Sequence, residues 1–326
     1  MKYFDLSSQY KLINKSLNKD IVKIFRKTNF INGNEVKLLE DKLSNFTNTL
    51  SITCANGTDA IYIALLALNL KRDDYVISSN FNYISAVECC KLLGLKLILV
   101  DIDDTLNICP IKLNDTIWEC IKKKIRPKAL ISVNLFGNSV DYSKINKICK
   151  SNSITHISDC AQSFGSTYNS KKLEEHAYIS TTSFFPSKSL GCYGDGGAIF
   201  TKSKKIFNII KSIKSHGSYK QKYNFKYVGV NSRLDTLQAV VLINKLKLLD
   251  KEIENKKINY KYFIKKLNEN YKIQKIQNNT VSCLSYMNLY SNKVSRAKIL
   301  SLLEKYNIPY QIYYPKTIIE QIPYSE

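Results

Sequence analysis

Four stretches of this 326-residue chain carry residue types whose spacing could do chemistry. The first is Ser183-Phe184-Phe185-Pro186-Ser187-Lys188, followed by the glycine-rich Gly191-Cys192-Tyr193-Gly194-Asp195-Gly196-Gly197. A lysine just beyond an aromatic strand is badly placed for a surface charge. Burial would lower its pKa and make it a nucleophile of the Schiff-base kind. The plainer reading is one exposed lysine among many. The second is Asp159-Cys160-Ala161-Gln162, at the end of a strand-like run. A carboxylate there points into the crevice where open α/β sheets bind ligands. A pyridine nitrogen needs such a partner to stay protonated and act as an electron sink, and Gln162 could bond a ring hydroxyl. A lone Asp more commonly caps a loop. The third is Cys54-Ala55-Asn56-Gly57-Thr58-Asp59-Ala60, between a strand and a helix. Free N–H groups of Gly57 and Thr58 at a helix N-terminus suit a phosphate, although Asn56 or Thr58 could simply cap that helix. The fourth is Gly229-Val230-Asn231-Ser232-Arg233-Leu234-Asp235, where an Arg233–Asp235 ion pair is the plain alternative to a binding role.

These stretches need a frame. Apolar runs rich in β-branched residues at Leu50–Cys54, Tyr75–Ser79, Leu95–Val100, Ala129–Asn134, Thr155–Ser158, Tyr178–Phe184 and Ala198–Thr201 read as strands. Helical patterns lie between the earlier ones; in Asp59–Leu68, Ile61, Ala64, Leu65 and Leu68 share a face. Alternating strands and helices predict a mostly parallel sheet flanked by helices. The close spacing of the last two strands predicts an antiparallel piece. Leu234–Asn259 reads as one long helix, and a domain boundary is placed near residue 250. The rest reads as strand Val281–Leu289, helix Ser295–Tyr306 and strand Tyr310–Tyr314.

Composition narrows the function class. The formal charge is +22, from 49 basic and 27 acidic residues, and only Arg26, Arg72, Arg126, Arg233 and Arg296 among the basic ones are arginine. Arginine does most phosphate forking and base reading. The lysines are spread along the chain without a basic arm, so a nucleic-acid role is set aside. The nine cysteines are an odd number without CxxC or Cys/His clustering. They read as buried thiols in a reducing compartment, not as disulfides or a metal site. No apolar run reaches membrane-span length, and Met1–Leu6 lacks the order of a signal peptide. The expectation is a cytoplasmic protein without membrane or metal.

Together, and in this order, the blocks resemble the DegT/DnrJ/EryC1/StrS family of sugar aminotransferases, among the fold-type I pyridoxal-phosphate enzymes. The resemblance runs from Phe4-Asp5-Leu6 to about Tyr324. It includes Phe30-Ile31-Asn32-Gly33-Asn34-Glu35-Val36, Asn56–Ala60, Asp159–Gln162, Ser183–Lys188, His216-Gly217 and Asn231-Ser232-Arg233. It implies pyridoxal 5'-phosphate as cofactor and Lys188 as the lysine joined to it. It further implies Asp159 on the ring nitrogen, Gln162 on the ring hydroxyl, Tyr83 stacked on the ring, and Gly57, Thr58 and Ser183 on the phosphate. Asn231 would reach the phosphate of the neighbouring subunit's cofactor, making a homodimer with shared sites. His216, Arg233, Tyr313 and Tyr314 are candidate sugar contacts.

The implied reaction moves an amino group from glutamate to a keto sugar carried by a nucleotide. Lys188 serves as general acid and base, which argues against the dehydratase relatives that carry His there. Ser183–Asp195 and Val228–Ala239 look most like the branch acting on UDP-linked 3-keto-N-acetylglucosaminuronic acid, whose carboxylate Arg233 could fork; a 3- or 4-keto-6-deoxy sugar stays open. The implied domains are 1–250, a large cofactor-binding α/β domain with an N-terminal arm at 1–35, and 251–326, a small α+β domain. Family members continue for about another helix and strand, so the small domain reads as shortened. Asn134 stands where the family usually has His, and Tyr313-Tyr314-Pro315 where it has His-Tyr-Pro. A second reading, prompted by the short small domain, is a non-catalytic relative that acts as a structural or regulatory partner.

Overall fold

Short runs rich in apolar residues, too short for helices, become strands of a largely covered sheet. That is what β1 (Leu50–Cys54), β2 (Tyr75–Ser79), β3 (Lys96–Val100), β4 (Ala129–Val133) and β5 (Thr155–Asp159) do, with β3 at the partly exposed edge. The structure is a computed structural model and describes residues 3–324. A small ribbon, β6 (Thr167–Tyr168) and β7 (Lys171–Lys172), precedes the last two sheet strands, β8 (Ile179–Ser183) and β9 (Gly197–Thr201). The main sheet has seven strands in the order β1-β9-β8-β5-β4-β2-β3. β3, β2, β4, β5 and β8 run parallel, while β9 is antiparallel to both β8 and β1. The antiparallel piece expected from the close spacing is therefore β8–β9.

Alternation along the strands feeds two cores. Ile131, Val133, Ile157, Ile179 and Ile199 pack with α3 (Gly57–Ala67), α4 (Ser85–Leu92) and α7 (Lys204–Ile213). Ile77, Val100 and Leu130 face α5 (Pro110–Lys122) and α6 (Tyr142–Ser151). Each such side chain, fully buried, contributes about 1.5–3 kcal/mol. A third core joins α1 (Leu6–Lys27), α2 (Asn34–Thr47) and α8 (Thr236–Leu246) to Phe184, Ala198 and Phe200. A hairpin of β10 (Ser218–Tyr219) and β11 (Gln221–Phe225) stands out between α7 and α8.

Three expectations about the C-terminal part need correction. The long helix is two, α8 and α9 (Leu249–Lys266), separated by a turn in which Leu248 N donates to Lys245 O at 2.9 Å. Of the strand expected over residues 281–289 only β12 (Thr280–Val281) forms, and it pairs with β6. Beyond it Leu284 adopts φ +51°, and Ser282 Oγ bonds Gly137 O and Leu284 N, so backbone and side chain leave the ladder pattern. The strand expected over residues 310–314 is absent. Tyr313 and Tyr314 both pack on Phe136, whereas successive strand side chains point to opposite faces. The helix α10 (Arg296–Lys305) forms as expected. Cross-links hold this part against the sheet: Gln274 Nε2 donates to Thr105 O at 2.7 Å, Cys283 N to Ser166 Oγ at 2.9 Å, and Ile318 N to Asn80 O at 2.8 Å.

Candidate active site

β5 ends at Asp159, which is only 5% exposed. Its Oδ1 accepts the N–H of Ala161 at 2.9 Å. Burial outweighs that bond and the nearby Lys188, pushing the carboxyl up to about 6. Lys188 follows β8 in a turn closed by its own N–H on Phe185 O at 2.8 Å. Its amine is lowered by burial and partly restored by Asp159. Among the described residues it forms no hydrogen bond or ion pair. The two groups thus share one sheltered space at the carboxyl ends of adjacent strands.

The turn between β1 and α3 supplies an anion cradle. Asn56 is the cap, its Oδ1 accepting Asp59 N at 2.7 Å. Gly57 N and Thr58 N, in the first turn of α3, find no acceptor among the described residues, as helix starts leave them. A Cβ at Gly57 would come within 2.6 Å of Ser183 Cβ, so the cradle and the end of β8 touch. Ala55 N donates to Ser232 Oγ at 3.0 Å, which draws residues 231–233 toward this turn. Asn231 itself is exposed and bridges to Ser215. Arg233 is half-buried and, among the described residues, forms no ion pair with Asp235 or any other group.

Gln162 is held at both ends of its amide: Oε1 accepts Phe136 N at 3.0 Å and Nε2 donates to Tyr314 OH at 2.9 Å. Tyr314 packs edge-on against Phe81 and over Phe136, and its phenol is raised by burial. Tyr83 is 56% exposed and close enough to Tyr314 to perturb it. The structure thus gathers Asp159, Gln162, Lys188, Ser183, Gly57, Thr58, Tyr83 and Tyr314. His216 goes elsewhere: it is exposed, in a positive-φ turn, and lines a hollow of about 540 Å³ with Tyr219, Tyr223 and Phe225 of the hairpin. A larger cleft, about 980 Å³, lies beside Lys37, Lys204 and Tyr227 and includes none of the gathered residues.

Sequence reasoning missed Phe136 and Tyr286, which build the wall that Tyr313 and Tyr314 lean on. The abundance of tyrosine, 22 residues, was the available signal. Asn134, the departure from the family pattern, is fully buried: its Nδ2 reaches Ser158 Oγ at 2.9 Å and Asp159 O at 3.1 Å. It braces β5 from behind. All nine cysteines are free and buried. Among the described residues no helix is long and apolar enough to cross a membrane.

The fold is that of fold-type I pyridoxal-phosphate transferases. A structure of a DegT DnrJ EryC1 StrS aminotransferase from Brucella abortus superposes with a TM-score of 0.97 at 32% identity, covering 100% of this chain and 87% of that one. A model of the DegT/DnrJ/EryC1/StrS aminotransferase family matches residues 11–326, and the chain belongs to that family. The UDP-2-acetamido-2-deoxy-3-oxo-D-glucuronate aminotransferase of Pseudomonas aeruginosa is 36% identical over 98% of this chain and 88% of its own length. A pleiotropic regulatory protein of Geobacillus stearothermophilus is 36% identical over 78% of this chain and 67% of its own. The family's cofactor, pyridoxal phosphate, fits the residues present. Acceptor-free N–H groups suit a phosphate, a sealed carboxylate suits a cationic ring nitrogen, and an unpartnered amine suits an aldehyde.

Proposed function

We propose that this chain is a nucleotide-sugar aminotransferase that uses glutamate to aminate a keto sugar, in the branch acting on UDP-linked 3-keto-N-acetylhexosaminuronates. What carries the reading is the buried pair of Asp159 and Lys188, one raised and one lowered from its ordinary pKa; such paired perturbation marks functional sites. The similarity to the Pseudomonas aeruginosa enzyme supports the sugar class.

Asp159 would hold the ring nitrogen, Gln162 the ring hydroxyl, Tyr83 the ring face, and Gly57, Thr58 and Ser183 the phosphate. When bound, pyridoxal phosphate supplies the electron sink for carbanion chemistry. Lys188 Nζ, with its lowered pKa, moves the proton at the substrate carbon as general acid and base. Arg233 is the fork for a uronate carboxylate. Asn231, exposed here, fits a role on the partner subunit's phosphate in a homodimer, and His216 on its exposed turn fits a contact across the same interface. The domains are read as 1–250 and 251–326, the setting as the cytoplasm, and the pathway as cell-surface polysaccharide or glycan biosynthesis.

The regulatory reading keeps one observation, the name of the Geobacillus stearothermophilus relative; the presence of Lys188, Asp159, Gln162 and Ser183 supports catalysis instead. The deciding experiment gives purified holoenzyme glutamate and a panel of keto nucleotide sugars. Amination of the UDP-3-keto uronate ahead of 4-keto-6-deoxy sugars is expected. A cofactor band that glutamate leaves unchanged, with no aminated sugar, would favour the regulatory role.

A further inference from the structure

Among the described residues β1 is an edge strand of the main sheet, paired only with β9. An edge leaves half of a strand's N–H and C=O groups without a ladder partner. Side chains take that place along β1. Ser51 N donates to Ser44 Oγ at 3.1 Å and Thr53 N to Glu40 Oε1 at 2.8 Å, both acceptors on α2. Lys214, the residue that ends α7, is only 8% exposed and donates from Nζ to Thr53 O at 2.6 Å. The same Nζ lies 3.7 Å from Glu40 Oε1. One lysine thus closes the edge just before Ala55, where the chain turns into the phosphate cradle.

The main chain of Lys214 holds a different segment. Its carbonyl accepts Ser232 N at 2.9 Å, and Ser232 Oγ accepts Ala55 N at 3.0 Å. The bonds of Lys214 to Thr53, Ala55 to Ser232 and Ser232 to Lys214 therefore close a ring at the end of β1. Thr53 and Ser232 are fully buried, while Asn231, next in the chain to Ser232, is exposed. On the other side of Asn231, Val230 N donates to Ile213 O and Val230 O accepts His216 N, both at 2.8 Å. Asn231 is thus held between two anchored neighbours and faces outward. The lysine that sets its place also sets the cradle. Breaking one bond of the ring would leave a buried polar group unpaired, which is costly, so the ring shifts as a unit.

We propose that Lys214 is a positioning residue that ties each subunit's own phosphate cradle to the Asn231 it offers its partner, so that the two cofactor sites of a dimer are set together. The inference rests on the shared-site reading above, in which Asn231 serves the partner subunit's cofactor phosphate. Lys214 acts through Thr53 and Ser232, not by contact with the phosphate.

Mixed dimers test it. One subunit carries Lys214→Met, and the other is unsubstituted and isotope-labelled. The dimers are equilibrated with graded pyridoxal phosphate and reduced with borohydride, and the phosphopyridoxyl group on the Lys188 peptide of each subunit is measured by mass. Both subunits are expected to need about fivefold more cofactor for half occupancy than in the unsubstituted dimer, roughly the worth of one hydrogen bond. Weakening in the substituted subunit alone makes Lys214 a local support of its own cradle and overturns the inference, as does no weakening in either. Ser232→Ala removes the bond from Ala55 and leaves the lysine in place. It carries the test, with the same two-site result expected, should Lys214→Met fail to fold. A mixed dimer with Asn231→Ala separates the two readings. Weakening confined to the unsubstituted partner supports the shared site. Weakening confined to the substituted subunit overturns the shared site and this inference with it.

Discussion

Burial pushes Asp159 from 3.8 up to about 6. Between about pH 4 and 6 the folded, cofactor-free chain thus keeps a proton that the unfolded chain has released. The contribution of this group to stability is full below the unfolded value and is lost as pH rises through the folded one, by about 3 kcal/mol. A cationic ring nitrogen beside the carboxylate would restore what the higher pH removes. Pyridoxal phosphate should therefore raise the melting temperature more at pH 7.5 than at pH 5, and Asp159→Asn should shrink that difference. Equal shifts at both pH values in the parent protein would count against the pairing. Lys188→Ala should abolish transamination in a coupled assay, and full turnover by that variant would remove Lys188 from the chemistry. Both residues stood out in the sequence because Asp159 closes a strand-like run and Lys188 follows a few residues beyond another. The Gln162–Tyr314 bond and the bracing role of Asn134 were not, since they join residues 152 apart or depend on what packs behind β5.

At the scale of elements, the junction of β1, α3, β8 and β9 has no room for side chains at two glycines. A Cβ at Gly197 would lie 2.3 Å from Asn56 O, a backbone atom that cannot swing away. Gly197→Ala should destabilise the fold by about 3 kcal/mol in denaturant titration, and an unchanged midpoint would show that the junction relaxes freely. Gly57→Ala meets the Ser183 side chain instead, at 2.6 Å from Cβ and 3.2 Å from Oγ. That change should loosen cofactor retention on dialysis more than it lowers stability, if Gly57 and Ser183 share the phosphate. The five-residue strands were legible to within about a residue because apolar β-branched runs have one economical fate, burial on both faces. The C-terminal strands were misread because the same residue types, Tyr313 and Tyr314, are drawn to one aromatic wall, a long-range preference that period-two reading cannot contain.

At the scale of the whole molecule, the seven-stranded order with β9 reversed sets Asp159 and Lys188 on adjacent strand ends, and leaves Asn231 and the hairpin facing outward. If each site borrows Asn231 from the partner, mixing Lys188→Ala with Asn231→Ala protein should recover activity. One site of each mixed dimer would then hold neither substitution. Mixtures as inactive as their parents would place both residues within one protomer. The net charge of +22 did not reveal the site, because composition reports solubility and partners in bulk and not the chemistry of a crevice. The most direct check on the central claim is borohydride reduction of the holoenzyme followed by peptide mass mapping. The phosphopyridoxyl group should be found on Lys188 alone; finding it on a different lysine, or on none, would contradict the proposed site.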